Sequence, residues 1–301
     1  MNKDTNRFRG CLLGLAVGDA VGTTVEFMPR GSFQRITDMV GGGPFHLKAG
    51  QWTDDTSMAL CLATSLIEKK GFNAIDQMNR YWNWYKNGYL SSTGRCFDIG
   101  NTVGFALDRY HRTGNPFSGS DSPNMAGNGS LMRLIPIPMF YFPDREKVIH
   151  FAGESSRTTH AAQECIDACQ LFAEMIYLAL SGQNKDQILF DTKAQVSAPK
   201  VKAIADGSYS SKLITQIHGT GYVVESLEAA LWCFYQTNTF ELAILQAANL
   251  GDDADTTAAI CGQIAGAFYG ESSIPTKWLE QLFMRNEITE LADQLAKVEL
   301  G

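Results

Sequence analysis

The sequence lacks most of the features that would take it out of the ordinary globular class. It has no Pro-, Ser- or Gly-rich linker, almost no segment in which apolar residues alternate at period two, and no pairwise cysteine pattern. The first absence argues against a domain boundary, the second against a sheet, the third against a disulfide framework. The seven cysteines (Cys11, Cys61, Cys96, Cys165, Cys169, Cys233 and Cys261) are odd in number and sit mostly in apolar stretches, as reduced, buried thiols of a cytoplasmic protein would. Met1–Arg9 is charged, and the apolar run after it lasts only about a dozen residues before Asp19, which reads as too short and too polar for a membrane span and lacks a signal-peptide pattern. A net charge of −7 argues against nonspecific nucleic-acid binding. Neither a nucleic acid nor a membrane is expected as a partner.

What remains is a chain of 301 residues with 45% hydrophobic residues, enough to bury about three quarters of its unfolded surface. Apolar residues recur at helical spacing near 6–22, 54–69, 74–87, 99–112, 129–142, 145–155, 160–181, 223–237, 240–249, 254–270 and 276–298, the last with a break. The expected fold is all-α, and residues 1–301 are expected to form one domain if the two acidic motifs described next, about two hundred residues apart, cooperate.

Two helices carry glycine at every fourth position, Gly10/Gly14/Gly18/Gly22 and Gly262/Gly266/Gly270. Each ridge is free of side chains and permits close backbone approach, although glycine inside a helix otherwise costs about 1 kcal/mol against alanine. These helices are therefore expected to be central. The spacing differs from a dinucleotide fingerprint, which also needs a preceding strand.

Thr53-Asp54-Asp55-Thr56-Ser57 runs straight into an apolar stretch, and Gly251-Asp252-Asp253-Ala254-Asp255-Thr256-Thr257 does the same. Asp and Thr at such places can cap helices, but capping needs one or two residues per end and here five carboxylates stand beside several hydroxyls. Crowded carboxylates beside buried helices must be protonated, exposed or bound to cations. Oxygen-only ligands favour Mg²⁺ or Mn²⁺ over zinc. Asp253-Ala254-Asp255-Thr256-Thr257 also spells a phosphatase nucleophile motif, D-x-D-x-T, but that chemistry needs a preceding parallel strand and a helical segment precedes it here.

Taken together with Gly10-Cys11-Leu12-Leu13-Gly14-Leu15-Ala16-Val17-Gly18-Asp19-Ala20 and Gly127-Asn128-Gly129-Ser130-Leu131-Met132-Arg133, these motifs resemble the ADP-ribosylglycohydrolase family from Arg9 to about Gly270. That family includes dinitrogenase-reductase-activating glycohydrolases and ADP-ribosylarginine and ADP-ribosylserine hydrolases. The resemblance implies an all-helical fold with two Mg²⁺ or Mn²⁺ ions at the base of a cleft, held by Thr53, Asp54, Asp55, Asp253, Asp255 and Thr256. It implies that Asp252 lies outside the ligand set and that Glu26 helps position or activate water, with Asp55, Asp98 and Asp255 completing the catalytic group.

By the same resemblance, Gly127, Asn128, Gly129 and Ser130 wrap a diphosphate, and small residues opening a helix do offer free N–H groups to an anion. His160 matches a histidine near the ligand. A zinc site of His160 with Cys165 and Cys169 is conceivable, but three residues on one helix at these spacings fit a packed core better. Asp98, in Gly94-Arg95-Cys96-Phe97-Asp98-Ile99-Gly100, resembles an acidic residue that faces the leaving guanidinium in arginine-directed members, a pairing chemically suited to a bidentate fork. An N-cap for the helix from Ile99 is the competing role. The expected activity is metal-dependent removal of ADP-ribose from a modified protein, with arginine as acceptor. Serine or small-molecule acceptors, a crystallin-like structural role and a toxin-binding role are the alternatives.

Overall fold

Glycine removes the side chains that hold two helices apart, and in this fold it does so on both partners at once. The computed structural model describes residues 3–298. In chain order its helices are α1 (Thr5–Gly22), α2 (Asp54–Lys69), α3 (Ala74–Asn87), α4 (Asn101–Thr113), α5 (Pro136–Tyr141), α6 (Arg145–Arg157), α7 (Gln163–Leu180), α8 (Lys185–Phe190), α9 (Pro199–Ala205), α10 (Val223–Gln236), α11 (Phe240–Ala248), α12 (Ala254–Tyr269), α13 (Thr276–Gln281) and α14 (Arg285–Lys297). Among the described residues there is no β-strand, only isolated bridges, so the all-α expectation holds and the phosphatase reading loses its strand.

The two glycine ridges mate. A Cβ at Gly14 would lie 2.3 Å from the Gly262 carbonyl oxygen, one at Gly18 2.1 Å from that of Ala258, and one at Gly22 2.3 Å from that of Ala254. The pairing runs in opposite senses along the two chains, so α1 and α12 are antiparallel and the end of α1 meets the start of α12. Around this pair a continuous apolar core takes in Phe8, Trp52, Phe140, Phe172, Phe234 and Trp278. A smaller cluster of Met58, Met78, Tyr81, Trp84, Leu107 and Met132 packs α2, α3 and α4 together. The segment Thr5–Val25 is, contrary to the expectation, long and apolar enough by composition to cross a membrane, but 89% of its most apolar 18-residue stretch is buried inside the fold, as a core helix requires.

Several boundaries differ from the periodicity. The helix expected over 129–142 is only α5; residues 129–133 form turns, because Pro136 has no N–H to bond back into a preceding helix and starts one instead. α4 begins after Gly100, and α7 begins at Gln163, so that His160 lies before it, in an isolated bridge with Ser120. The break expected in 276–298 falls at Leu282–Met284, with Met284 at φ 55°. Two short helices, α8 and α9, were not expected; α8 opens on a capping box between Asn184 and Gln187 and α9 on Pro199. The domain expected over 1–301 includes residues 1, 2 and 299–301, which lie outside the described residues.

Candidate metal centre and ligand cleft

Because α1 and α12 are antiparallel, the single turn after α1, Thr23–Val25, delivers Glu26 to the N-terminus of α12, where Asp253 and Asp255 stand. One helical turn before Gly22, Asp19 turns to the N-terminus of α2. Its Oδ1 accepts from the Thr53 N–H and hydroxyl, both at 2.9 Å, and its Oδ2 accepts from the Thr56 N–H at 3.1 Å and hydroxyl at 2.6 Å. Asp19 thus does from outside what an N-cap side chain would do. Thr53 and Asp253, the residues at the cap positions of α2 and α12, make no side-chain cap bond. The capping explanation for the acidic motifs therefore falls away.

Freed of that duty, the acidic side chains converge. Asp55 and Asp255 are fully buried, Asp54 nearly so, and Glu26 is 3% exposed. One carboxylate oxygen from each of Glu26, Asp98 and Asp255 can be chosen so that all three lie within 4.8 Å of one another. The Thr256 hydroxyl donates to Asp55 Oδ2 at 3.2 Å, while the Thr53 hydroxyl lies 3.1 Å from Asp255 Oδ2. Thr53 has only one hydroxyl proton, and the shorter bond to Asp19 takes it. Its contact with Asp255 then sets two lone-pair oxygens against each other, which is stable only with a proton or a cation between them. Asp55 Oδ1 and Asp255 Oδ1 are buried without any hydrogen-bond partner among the described residues.

No Lys or Arg among the described residues forms an ion pair with this cluster. Burial first, and then mutual repulsion, holds Asp54, Asp55 and Asp255 well above the ordinary carboxylate range. The same causes push Glu26 up to about 10 and Asp98 up to about 7. Burial raises Asp19 to about 6 against its four hydrogen bonds. Orphaned buried oxygens, an all-oxygen donor set and missing countercharge together fit a hard divalent cation.

Above this floor opens a cleft of about 660 Å³ lined by Glu26, Asp54, Asp98, Gly127, Asn128, Gly129, His160, Asp253 and Thr256. Thr53, Asp55 and Asp255 lie beneath it. Ser130 does not face it: its Oγ takes a hydrogen bond from Ser156 at 2.8 Å in the interior. The Asn128 amide donates to Asp253 Oδ2 at 2.7 Å and to Ser226 at 2.8 Å, so it orients a carboxylate of the floor. The loop does not open a helix as expected, but the N–H groups of Gly129 and Ser130 have no backbone acceptor among the described residues. Asp98, at φ 59°, precedes α4 by three residues and does not cap it. Cys165 and Cys169 donate to Gly127 O and Ser130 Oγ from below, so they support the loop and form no metal cluster with His160.

Sequence reading missed Asp19 as a site residue, although its position inside an apolar glycine helix was a signal. It also missed Phe27, which stands at the cleft edge with φ 63° and 63% of its surface exposed. Its strained backbone is held by hydrogen bonds from Phe27 N–H to Asp252 O at 2.7 Å and from Asp252 N–H to Met28 O at 2.9 Å. This is the observed place of Asp252: outside the floor, bracing the Glu26 turn through its backbone.

The comparisons with known proteins agree with this fold. A family model described as ADP-ribosylglycohydrolase matches residues 1–300. An ADP-ribosylarginine hydrolase Tri1 of Pseudomonas putida is 46% identical, covering 96% of this chain and 78% of that protein. Its counterpart in Serratia proteamaculans is 42% identical over 98% of this chain and 80% of its own length. The ADP-ribosyl-[dinitrogen reductase] glycohydrolase of Rhodospirillum rubrum is 32% identical over 94% of this chain and 92% of its own. A solved structure described as an ADP-ribosylglycohydrolase-related protein complex superposes with a TM-score of 0.88 at 39% identity, covering 98% of this chain and 99% of that one. The chain belongs to the ADP-ribosylglycohydrolase family.

Proposed function

We propose that this protein hydrolyses the bond between ADP-ribose and a modified arginine side chain, with two Mg²⁺ or Mn²⁺ ions held by Thr53, Asp54, Asp55, Asp253, Asp255 and Thr256. The observation that carries the reading is the 42–46% identity, over nearly the whole chain, to two proteins named as ADP-ribosylarginine hydrolases. The buried cluster of carboxylate oxygens on the floor of the cleft, two of them without a hydrogen-bond partner among the described residues, supports the metal requirement. The ions would supply positive charge that orients the ribose hydroxyls and polarises water.

The chain's own groups divide the remaining work. Glu26, at the cleft edge and within 3.4 Å of the Thr23 hydroxyl, is placed to take a proton from the attacking water once the cluster's charge is neutralised. Asp98 offers its carboxylate to the departing guanidinium. Gly127, Gly129 and His160 receive the diphosphate. Water adds its hydroxyl to the ribose carbon as the bond from that carbon to the arginine nitrogen breaks, and the one proton that Glu26 takes from the water ends on that nitrogen. Free thiols at all seven cysteines suit a reducing compartment, and we place the protein in the cytoplasm on that ground. The test is ADP-ribose release from arginine- and serine-linked peptides with Mg²⁺ or Mn²⁺. Release from the arginine adduct is expected, and a preference for the serine adduct would overturn the acceptor assignment.

A further inference from the structure

Arg133 is fully buried and has no carboxylate partner among the described residues. Its guanidinium donates to Gly129 O, to Thr159 Oγ1 at 2.8 Å and weakly to Ser155 O and Thr158 Oγ1, and it stacks 4.8 Å from the Tyr81 ring centroid. A buried, unpaired guanidinium is costly, and truncating it for a neutral core would ordinarily be favoured. Here each of its two main bonds has a consequence in the cleft.

The first consequence follows from counting protons. Guanidinium only donates, so Thr159 Oγ1 accepts from Arg133. Thr159 Oγ1 also lies 2.8 Å from His160 Nδ1, and no other acceptor for the Thr159 hydroxyl proton is found among the described residues. The hydroxyl therefore donates to Nδ1, which leaves the ring proton on Nε2. That nitrogen has no protein partner among the described residues and belongs to a residue that is 1% exposed yet lines the cleft beside Gly127 and Gly129. Burial, then the nearby guanidinium, lowers the ring to about 3, so it stays neutral. The second consequence follows from peptide planarity. Arg133 draws the Gly129 carbonyl inward, so the N–H of Ser130 on the same trans peptide points the opposite way.

We infer that Arg133, acting through Thr159 and the Gly129 carbonyl, is a positioning residue that presents two neutral donors, His160 Nε2–H and Ser130 N–H, to an anionic oxygen of the ligand. The inference rests on the ADP-ribosyl reading above for the identity of the ligand, but the tautomer it requires is a property of the free protein. Arg133 never touches the ligand; its charge stands behind the donors, where it favours the anion without offering it a mobile side chain.

The test has two arms. Nitrogen-15 spectra of the histidine-labelled protein should show His160 with Nδ1 bare and Nε2 protonated, and Thr159→Val should lose that single pattern. The same variant should bind ADP-ribose about tenfold more weakly, the worth of about one lost hydrogen bond, and raise KM more than it lowers kcat, while Thr159→Ser restores both. A wild-type spectrum with the proton on Nδ1 would overturn the inference without any variant having to fold. So would ADP-ribose affinity unchanged in a folded Thr159→Val protein. Failure of arginine-adduct hydrolysis with the expected spectrum and ADP-ribose binding intact would instead count against the acceptor assignment alone.

Discussion

Asp19 and Thr53 are joined twice, the Thr53 backbone N–H and hydroxyl both donating to Asp19 Oδ1 at 2.9 Å. This pair locks the first turn of α2 to α1 and spends the Thr53 proton, which leaves its oxygen as an acceptor facing Asp55 and Asp255. Asp19→Ala should therefore cost about 3 kcal/mol or more, since it strands buried N–H groups of Thr53 and Thr56. Asp19→Asn keeps one acceptor oxygen and should be milder in stability, yet should still weaken Mn²⁺ binding about tenfold or more. Denaturant melts and calorimetric Mn²⁺ titration measure the two effects, and a fully stable Asp19→Ala protein would show that the link carries little.

A methyl group at the glycine interface has nowhere to go. Gly14→Ala would place its Cβ 2.3 Å from the Gly262 carbonyl oxygen, a backbone atom that cannot swing aside. Because α1 leads through one turn to Glu26 and α12 carries Asp255, separating them should destabilise the fold by about 3 kcal/mol and weaken metal binding as well. Gly31→Ala, which meets no atom within 4 Å although it sits at φ 82°, should cost about 1 kcal/mol through backbone strain alone and leave Mn²⁺ affinity unchanged. Equal losses of metal affinity in both would remove the interface from the account.

Without metal, stability should fall as pH rises. The carboxyls of Glu26 and Asp98 titrate near 10 and 7 when folded but from 4.5 and 3.8 when unfolded, and Asp54, Asp55 and Asp255 are raised in the same sense. A raised folded pKa gives stability that is full below the unfolded value and is lost as pH climbs through the folded one. His160, lowered from 6.5 to about 3, works oppositely, but only below 6.5. Between pH 6.5 and about 8.5 the carboxylates decide the sign. Melting temperature in chelator should drop across that window, and Mn²⁺ should flatten the slope. A rise in chelator would contradict the crowded-anion picture.

Substituting the crowded aspartates tests the same charge from the other side. Asp55→Asn and Asp255→Asn should leave the metal-free protein as stable as wild type or more so, because each removes a repelled, partnerless oxygen charge. With Mn²⁺ the order should reverse, since ligand binding stabilises wild type by mass action and the variants gain less. Variants that melt well below wild type in chelator, yet shift equally with Mn²⁺, would make these residues supports of the fold.

The parts of this site that were legible in the sequence are those whose chemistry is contiguous. Thr53–Thr56 and Asp253–Thr256 could be read as ligands because too many carboxylates stood together for capping, and the glycine steps showed that two helices had a close partner. That the ridges mate with each other, and so bring Glu26 to Asp255, depends on the antiparallel sense of the pair, which spacing does not encode. Asp19 escaped because its partners lie 34 and 37 residues away. Asp98 could not be told from a cap until α4 was seen to start beyond Gly100. Ser130 was assigned to the cleft with its neighbours, but the helix starts only at Pro136, and the turns over 129–133 leave the Ser130 hydroxyl paired with Ser156 in the interior.

Asp98 can now be tested without disturbing α4. Asn tolerates the left-handed backbone at φ 59° better than Ala does, so Asp98→Asn removes the charge and little else. It should lower kcat/KM for ADP-ribosylarginine by about tenfold or more, the worth of a lost charged hydrogen bond, and affect ADP-ribosylserine less. Equal losses on both would assign Asp98 to the metal floor with Glu26 and Asp255.

The most direct measurement is ADP-ribose release from an ADP-ribosylarginine peptide by protein stripped of metal, with and without added Mn²⁺, alongside Asp55→Asn. The account predicts no turnover in chelator, full recovery with Mn²⁺ and little recovery in the variant. Undiminished release after rigorous metal removal would contradict it.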